Sequence, residues 1–259
     1  MENKKIKDIT LQYHIMEDMN VPDFIEEYIN DQRPGVRSLV GLAQKQLYRQ
    51  YEEKKRLEKM RLYEQQYEQQ YTFICGIDEA GRGPLAGPVV AGAVILPKDC
   101  EILYLNDSKK LSEKKREELF LEIQQKAISA AVGIIEPADI DRYNILQATY
   151  MAMRKAIENL SQTPDILLND AVTIPEVHIP QCPIIKGDAK SVSIAAASIM
   201  AKVTRDHIMY EYDKQYPEYG FAEHKGYGTQ MHYDAILKYG KIPIHRTSFL
   251  RNLEDHVKR

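Results

Sequence analysis

Two apolar runs joined by a tight glycine turn constrain the fold of this chain more than any other stretch. Residues 73–77, Phe-Ile-Cys-Gly-Ile, suit a short buried strand, and residues 89–96, closed by Pro97, suit a second. Between them Asp78-Glu79-Ala80-Gly81-Arg82-Gly83-Pro84-Leu85-Ala86-Gly87-Pro88 places two adjacent carboxylates ahead of a turn that uses Gly81, Gly83 and Gly87. Strands this close in sequence pair as a hairpin, and the segments that follow alternate with helices. The expected class is α/β with a mixed sheet flanked by helices. An acidic pair at a strand end offers ligands to a divalent cation, and a glycine turn beside it lets a substrate approach the main chain closely.

Residues 127–135 read as a further strand or as a helix end followed by a strand, and strands are expected at 165–170, ending in Asp170, and at 184–185, entering Lys186-Gly187-Asp188. Helices are expected at 112–125 behind the N-cap Ser112, at 145–160, at 191–216 with an alanine-dense start, and at 229–239. Residues 1–71 differ in texture. They hold Gly35 and Gly41 of the 13 glycines but seven of the 17 tyrosines, and no proline follows Pro34. Lys, Arg, Glu and Gln dominate 37–71, which reads as a long helix starting near Ser38. Tyr63, Tyr67 and Tyr71, four apart, share one face. They either dock on the body of the protein or form a basic-aromatic arm that touches substrate. No clean apolar heptad persists, which argues against a coiled coil. The organisation expected is a helical N-terminal extension over 1–71, a catalytic domain over 72–245 and a basic tail over 246–259 that contains Arg246, Arg251, Lys258 and Arg259.

Composition excludes several classes. No stretch of the 259 residues approaches the roughly 18 apolar residues of a membrane span. The basic start, Met1-Glu2-Asn3-Lys4-Lys5, has no apolar run behind it, so a cytoplasmic location is expected. Cys75, Cys100 and Cys182 are odd in number and far apart, against a disulfide framework or a zinc site. Cys75, inside an apolar run, is expected in the core. A net charge of −3 neither supports nor excludes a polyanionic partner, because an enzyme can gather cations on one face.

Carboxylates recur at expected strand ends: Asp78 with Glu79, then Asp170, then Asp188 before the long helix. Singly, an aspartate at such a place is more often a cap or turn residue. Brought together, the set would repel itself unless hard cations such as Mg²⁺ or Mn²⁺ neutralised it, and two such ions could activate water against a phosphodiester. Gly81, Gly83 and Gly87 are no dinucleotide fingerprint, since the spacing ends one residue late and the turn leads into a strand. Ser112-Glu113-Lys114-Lys115 matches S-x-x-K only formally, in a charged helix start.

Gly76 through Val89 resembles the signature of type 2 ribonucleases H, specifically the bacterial ribonuclease HII family. Further blocks agree in order: Asn106-Asp107-Ser108-Lys109-Lys110-Leu111-Ser112, then Lys186-Gly187-Asp188 with Ser193-Ile194-Ala195-Ala196-Ala197-Ser198-Ile199 and Ala201-Lys202-Val203-Thr204-Arg205-Asp206, then His224-Lys225-Gly226-Tyr227-Gly228-Thr229. The resemblance covers roughly 72–245. It implies a ribonuclease H-like fold and an endonuclease acting on the RNA strand of RNA–DNA hybrids and 5′ of single ribonucleotides in duplex DNA. It further implies Asp78, Glu79, Asp170 and Asp188 as the catalytic set, with two Mg²⁺ or Mn²⁺ ions on Asp78, Glu79 and Asp170. Gly81, Arg82 and Gly83 would read a ribose 2′-hydroxyl, Tyr227 would pack on the next sugar, and Lys109 would lie near phosphates. Lys186 and Lys202 are further candidates, Lys202 alternatively balancing the acids. Ala171 stands where the family usually has glycine. The substrate would be a hybrid duplex or ribonucleotide-containing DNA, and the chain a monomer with no membrane partner. The alternatives are a ribonuclease HIII-type or other ribonuclease H-like nuclease, or a non-catalytic hybrid-binding module; Asp188 and the helical N-terminus favour HII over HIII.

Overall fold

A computed structural model describes residues 4–250 as two compact units, dividing between Glu58 and Lys59. Arg251, Lys258 and Arg259 of the expected basic tail lie outside the described residues.

The first unit is helical. Helices α1 (Ile6–Ile15), α2 (Val21–Tyr28) and most of α3 (Pro34–Met60) enclose Ile9, Val21, Phe24, Val36 and Ala43, all essentially inaccessible. Tyr28 Oη donates to Gln12 Oε1 at 2.8 Å and ties α2 to α1. Helix α3 begins at Pro34, four residues before the expected start, because proline is pre-set for a first helical position.

The second unit opens with a short helix α4 (Leu62–Tyr67), so the expected single helix is broken at Arg61. A five-stranded mixed sheet follows, in the order β3-β2-β1-β4-β5. Strands β1 (Ile74–Ala80), β2 (Val89–Ile95) and β3 (Ser129–Ile135) form an antiparallel meander. Strands β4 (Ile166–Asp170) and β5 (Gln181–Ile184) continue it in parallel on the far side of β1. β1 runs three residues further than expected. The turn folds β2 back so closely that Asp78, Glu79 and Ala80 pair with Gly92, Ala91 and Val90, leaving the two carboxylates inside the strand instead of beyond its end.

The other helices are α5 (Glu113–Lys126), α6 (Pro137–Tyr143), α7 (Ile145–Glu158), α8 (Val192–Gln215), α9 (Phe221–His224) and α10 (Gln230–Tyr239). Ser112, Asn144, Ser191 and Thr229 cap α5, α7, α8 and α10 with their side-chain oxygens. The sheet is covered on both faces. On one, Ala148, Ala152, Met153 and Ala156 of α7 meet Cys75, Ile77, Ala91, Ala93 and Leu167 in the main core. On the other lies α8, whose first twelve residues are nearly all buried. Contact there is main chain to main chain: a Cβ at Gly76 would stand 2.0 Å from the Ser193 carbonyl carbon, and one at Gly92 would stand 2.2 Å from the Ala197 oxygen. Glycine is the only residue that lets the helix settle this low.

Tyr63, Tyr67 and Tyr71 pack on Ile74, Ile166, Leu168, Ile184 and Ile194, which is the docking arrangement and not a free arm. Beside them the buried Glu64 reaches the start of α8. Its Oε1 accepts from Ser191 Oγ at 2.5 Å and from the Ser193 amide at 3.0 Å, while Oε2 has no partner.

Candidate active site

Neighbours on a strand face opposite sides of a sheet, and this separates the acidic pair. Asp78 shares its face with Gly76 and Gly92 and therefore looks toward α8, where the Ser198 hydroxyl favours its charged form. Burial first, then the charges of Glu79 and Asp170, push the Asp78 carboxyl well above its ordinary range. Glu79 looks the other way. Burial raises it too, opposed by Arg82, whose Nη1 lies 3.2 Å from Glu79 Oε1.

Asp170 ends β4 beside β1, and its Oδ1 accepts from the Gly187 amide at 2.7 Å. The residue after it, Ala171, has φ +57°, the left-handed region that glycine adopts without strain. The departure noted in the sequence is thus a backbone matter: alanine bears a conformation for which glycine is the natural choice. Asp188 sits on a 3₁₀ turn (Gly187–Ala189) entered through Lys186 at φ +57°. Burial, then the negative charges of Asp107 and Asp170, raise its carboxyl, and Lys109 opposes them.

Of these four, Glu79 borders an open cleft of about 570 Å³, lined also by Gly81, Arg82, Gly83, Lys109 and Tyr227, with Ser108, Ser198 and Lys202. Tyr227 is 44% exposed, and a Cβ on Gly83 would lie 3.8 Å from its ring. The expected substrate residues therefore share one wall. Two expectations shift. Lys186 is exposed and does not border the cleft. Lys202 borders it, but its ammonium is bound to Asp206 at 2.6 Å, one turn along α8, and not to the acids of the site.

Sequence reasoning missed four contributors. Ser198 favours the charged form of Asp78 and meets Ser108 Oγ at 2.9 Å, and the charge of Asp107 raises Asp188. Arg205 and Arg246 lie fully buried beneath the glycine turn. A polar residue in an otherwise apolar helical stretch was the available signal for Ser198, whereas Arg205 stands among Lys202, Thr204, Asp206 and His207 and carried none. Arg246 had none: it was assigned to the polar basic tail, yet it is 0% exposed.

Among the described residues, no three His, Cys, Asp or Glu side chains form a ready-made cation cage. Mg²⁺ does not require one, since it usually takes one or two carboxylates and completes its shell with water and substrate phosphate. The donor set fits such an ion. Asp78, Glu79 and Asp170 offer oxygen donors alone, and Asp170 raises both of the others through its charge. A hard cation relieves that repulsion.

The sequence profile of the family described as Ribonuclease HII matches residues 75–252, and that of the Ribonuclease HII N-terminal domain matches 5–68. The chain belongs to the ribonuclease HII family. The Ribonuclease HII of Lachnoclostridium phytofermentans is 55% identical over 251 residues, spanning 97% of this chain and 98% of that one. The crystal structure of the ribonuclease H2 from Pyrococcus horikoshii OT3 superposes with a TM-score of 0.61 at 27% identity, covering 72% of this chain and 99% of that one. The crystal structure of Bst-RNase HIII in complex with Mn²⁺ shares the fold, with a TM-score of 0.53 at 17% identity over 72% of this chain and 70% of that one. Membership in ribonuclease HII makes this chain a hydrolase of the ribonuclease H type, an endonuclease for RNA–DNA hybrids. Among the described residues, no helix is long and apolar enough to cross a membrane.

Proposed function

We propose that the chain hydrolyses the RNA strand of RNA–DNA hybrids and cuts duplex DNA on the 5′ side of single embedded ribonucleotides, leaving a 3′-hydroxyl and a 5′-phosphate. The observation that carries this reading is the shared cleft wall. The Glu79 carboxylate, the turn Gly81-Arg82-Gly83 and an exposed tyrosine, Tyr227, border one open groove. A turn with so little side-chain bulk can hydrogen-bond a hydroxyl that DNA lacks.

Asp78, Glu79 and Asp170 hold two Mg²⁺ or Mn²⁺ ions, and Asp188 completes the site. When bound, such ions supply Lewis acidity toward the scissile phosphate and a water nucleophile. The chain's own residues do the rest. Ser198 favours the charged form of Asp78. Arg82, 47% exposed at its side chain, can exchange Glu79 for a phosphate as substrate arrives. Lys109 brings a cation to the same wall. Tyr227 offers its ring to the sugar that follows the ribonucleotide. Residues 1–71 serve as a helical extension that supports substrate binding by the catalytic domain at 72–245. The protein works as a cytoplasmic monomer.

Asp78→Asn tests the assignment. Cleavage of a duplex with one ribonucleotide should fall at least ~10³-fold, as expected when a ligand for the catalytic ion is lost. Binding of that duplex should change little. Chelation should abolish wild-type cleavage and added Mn²⁺ restore it. Undiminished cutting by the variant would sink the assignment.

A further inference from the structure

Beneath the glycine turn lie two cations with no anionic partner. Arg205 and Arg246 are 1% and 0% exposed, and among the described residues neither forms an ion pair. Burial lowers their guanidinium groups to about 10 and about 9, so both remain charged at neutral pH. A buried, unpaired charge is expensive and needs its donors satisfied. Every acceptor here is a main-chain carbonyl. Arg246 donates to Arg82 O at 3.1 Å and Gly81 O at 2.6 Å, to Gly87 O from both Nε and Nη2, and to Pro88 O at 3.1 Å. Arg205 donates to Pro88 O and Ala86 O, each at 3.0 Å, and to Lys225 O at 2.9 Å. The turn is shaped around them. Gly81, at φ +93°, would put a Cβ 2.2 Å from Arg205 Nε.

Peptide geometry turns this into a statement about the cleft. Among the described residues no peptide bond is cis, so the carbonyl and the amide of each unit point opposite ways. With Gly81 O held inward, the Arg82 N–H faces outward. With Arg82 O held inward, so does the Gly83 N–H. Among the described residues no acceptor takes either amide, and both residues border the cleft. A cation bound to a carbonyl also polarises the peptide and sharpens its N–H as a donor. Arg205 reaches the other half of the reader as well, holding Lys225 O and lying 6.0 Å from the centre of the Tyr227 ring.

We propose that Arg205 and Arg246 are positioning residues for ribose recognition: by drawing the carbonyls of the turn inward they aim the Arg82 and Gly83 amides at the sugar, and so set the preference for a ribonucleotide over a deoxynucleotide. This rests on the function proposed above. The pair never touches substrate.

The test uses the full chain carrying Asp78→Asn, so that bound duplex survives. Affinity is measured by fluorescence anisotropy in Mg²⁺ for a DNA duplex with one ribonucleotide and for the same duplex without it. The parent should prefer the ribonucleotide. Arg246→Lys keeps the charge but loses the planar fork that spans several carbonyls. It should reduce the preference tenfold or more, with affinity for all-DNA duplex within about twofold of the parent, since phosphate contacts are untouched. Arg205→Lys should act in the same direction and serves as the second variant if Arg246→Lys does not fold. An unchanged preference in a folded variant overturns the proposal. So does an equal loss of affinity for both duplexes, the mark of a purely structural role. A parent with no preference overturns the ribonucleotide reading itself, and the inference with it.

Discussion

Acidification should unlock a histidine relay under Tyr227, and its hydrogen bonds set the size of the effect. The Ile242 amide donates to His245 Nδ1 at 3.0 Å, the Nε2 atoms of His245 and His232 meet at 3.1 Å, and His232 Nδ1 meets the Tyr227 carbonyl at 2.9 Å. With the Ile242 amide donating to His245 Nδ1, each ring has one donor and one acceptor, the arrangement of two neutral rings. His224 stacks on His232 at 4.5 Å, and Tyr219 and Phe221 enclose the group. Burial pushes His232 and His245 down to about 4 from 6.5; the neighbouring His224 adds to this, and Lys241 does so for His245. A folded value below the unfolded one means the unfolded chain binds protons first. Stability is therefore full above about pH 6.5 and is lost as pH falls toward 4. At pH 5 each histidine withdraws on the order of 2 kcal/mol, and their shared hydrogen bond keeps the two from adding fully. Urea unfolding between pH 8 and pH 5 measures this against His245→Gln, which keeps a neutral donor but does not titrate. The variant should lose ~1–2 kcal/mol less over that range. The raised carboxylates of Asp78, Glu79 and Asp188 titrate in both chains and cancel in the comparison. Parallel pH profiles would refute the relay.

Substitutions at three further positions probe the scaffold. Gly92→Ala drives a Cβ to within 2.2 Å of the Ala197 oxygen and should cost ~3 kcal/mol or more in urea unfolding, or prevent folding; Gly41→Ala, with open space around it in α3, should gain about 0.5–1 kcal/mol. Glu64→Ala strips acceptors from the Ser191 hydroxyl and the Ser193 amide and should lower stability by ~1–3 kcal/mol in thermal unfolding. Glu64→Gln keeps the Oε1 acceptor and removes a buried charge, so it should stay within ~1 kcal/mol of wild type or exceed it.

Much of this was legible in the sequence because the responsible signals are local. Apolar period, serine and threonine caps and the Gly-Pro punctuation mark the strands and the long helices, and the spacing of Asp78, Glu79, Asp170 and Asp188 marks the acidic ends. What stayed hidden depends on chain closure. That β1 extends through Ala80 follows from how β2 returns, which no window of residues reports. α6, behind Pro137, was missed because its seven residues are too short for a helical period to stand out. The role of Arg246 depends on carbonyls some 160 positions earlier, and a basic residue near a terminus looks the same in sequence whether buried or solvated. The function was readable through motif order, whereas the partners that hold each motif in place were not.

The seat of α8 on Gly76 and Gly92 has a consequence for how this enzyme can change. Where layers meet through side chains, a larger residue on one side can be answered by a smaller one on the other, and the spacing drifts as sequences diverge. Here peptide rests on peptide, with no side chain to trade. The height of Ser198 above Asp78 is a gauge cut into the backbone itself. Mutational drift or redesign can repaint the α7 face of the sheet, shifting melting temperature and packing, while the Asp78 carboxylate keeps the same address.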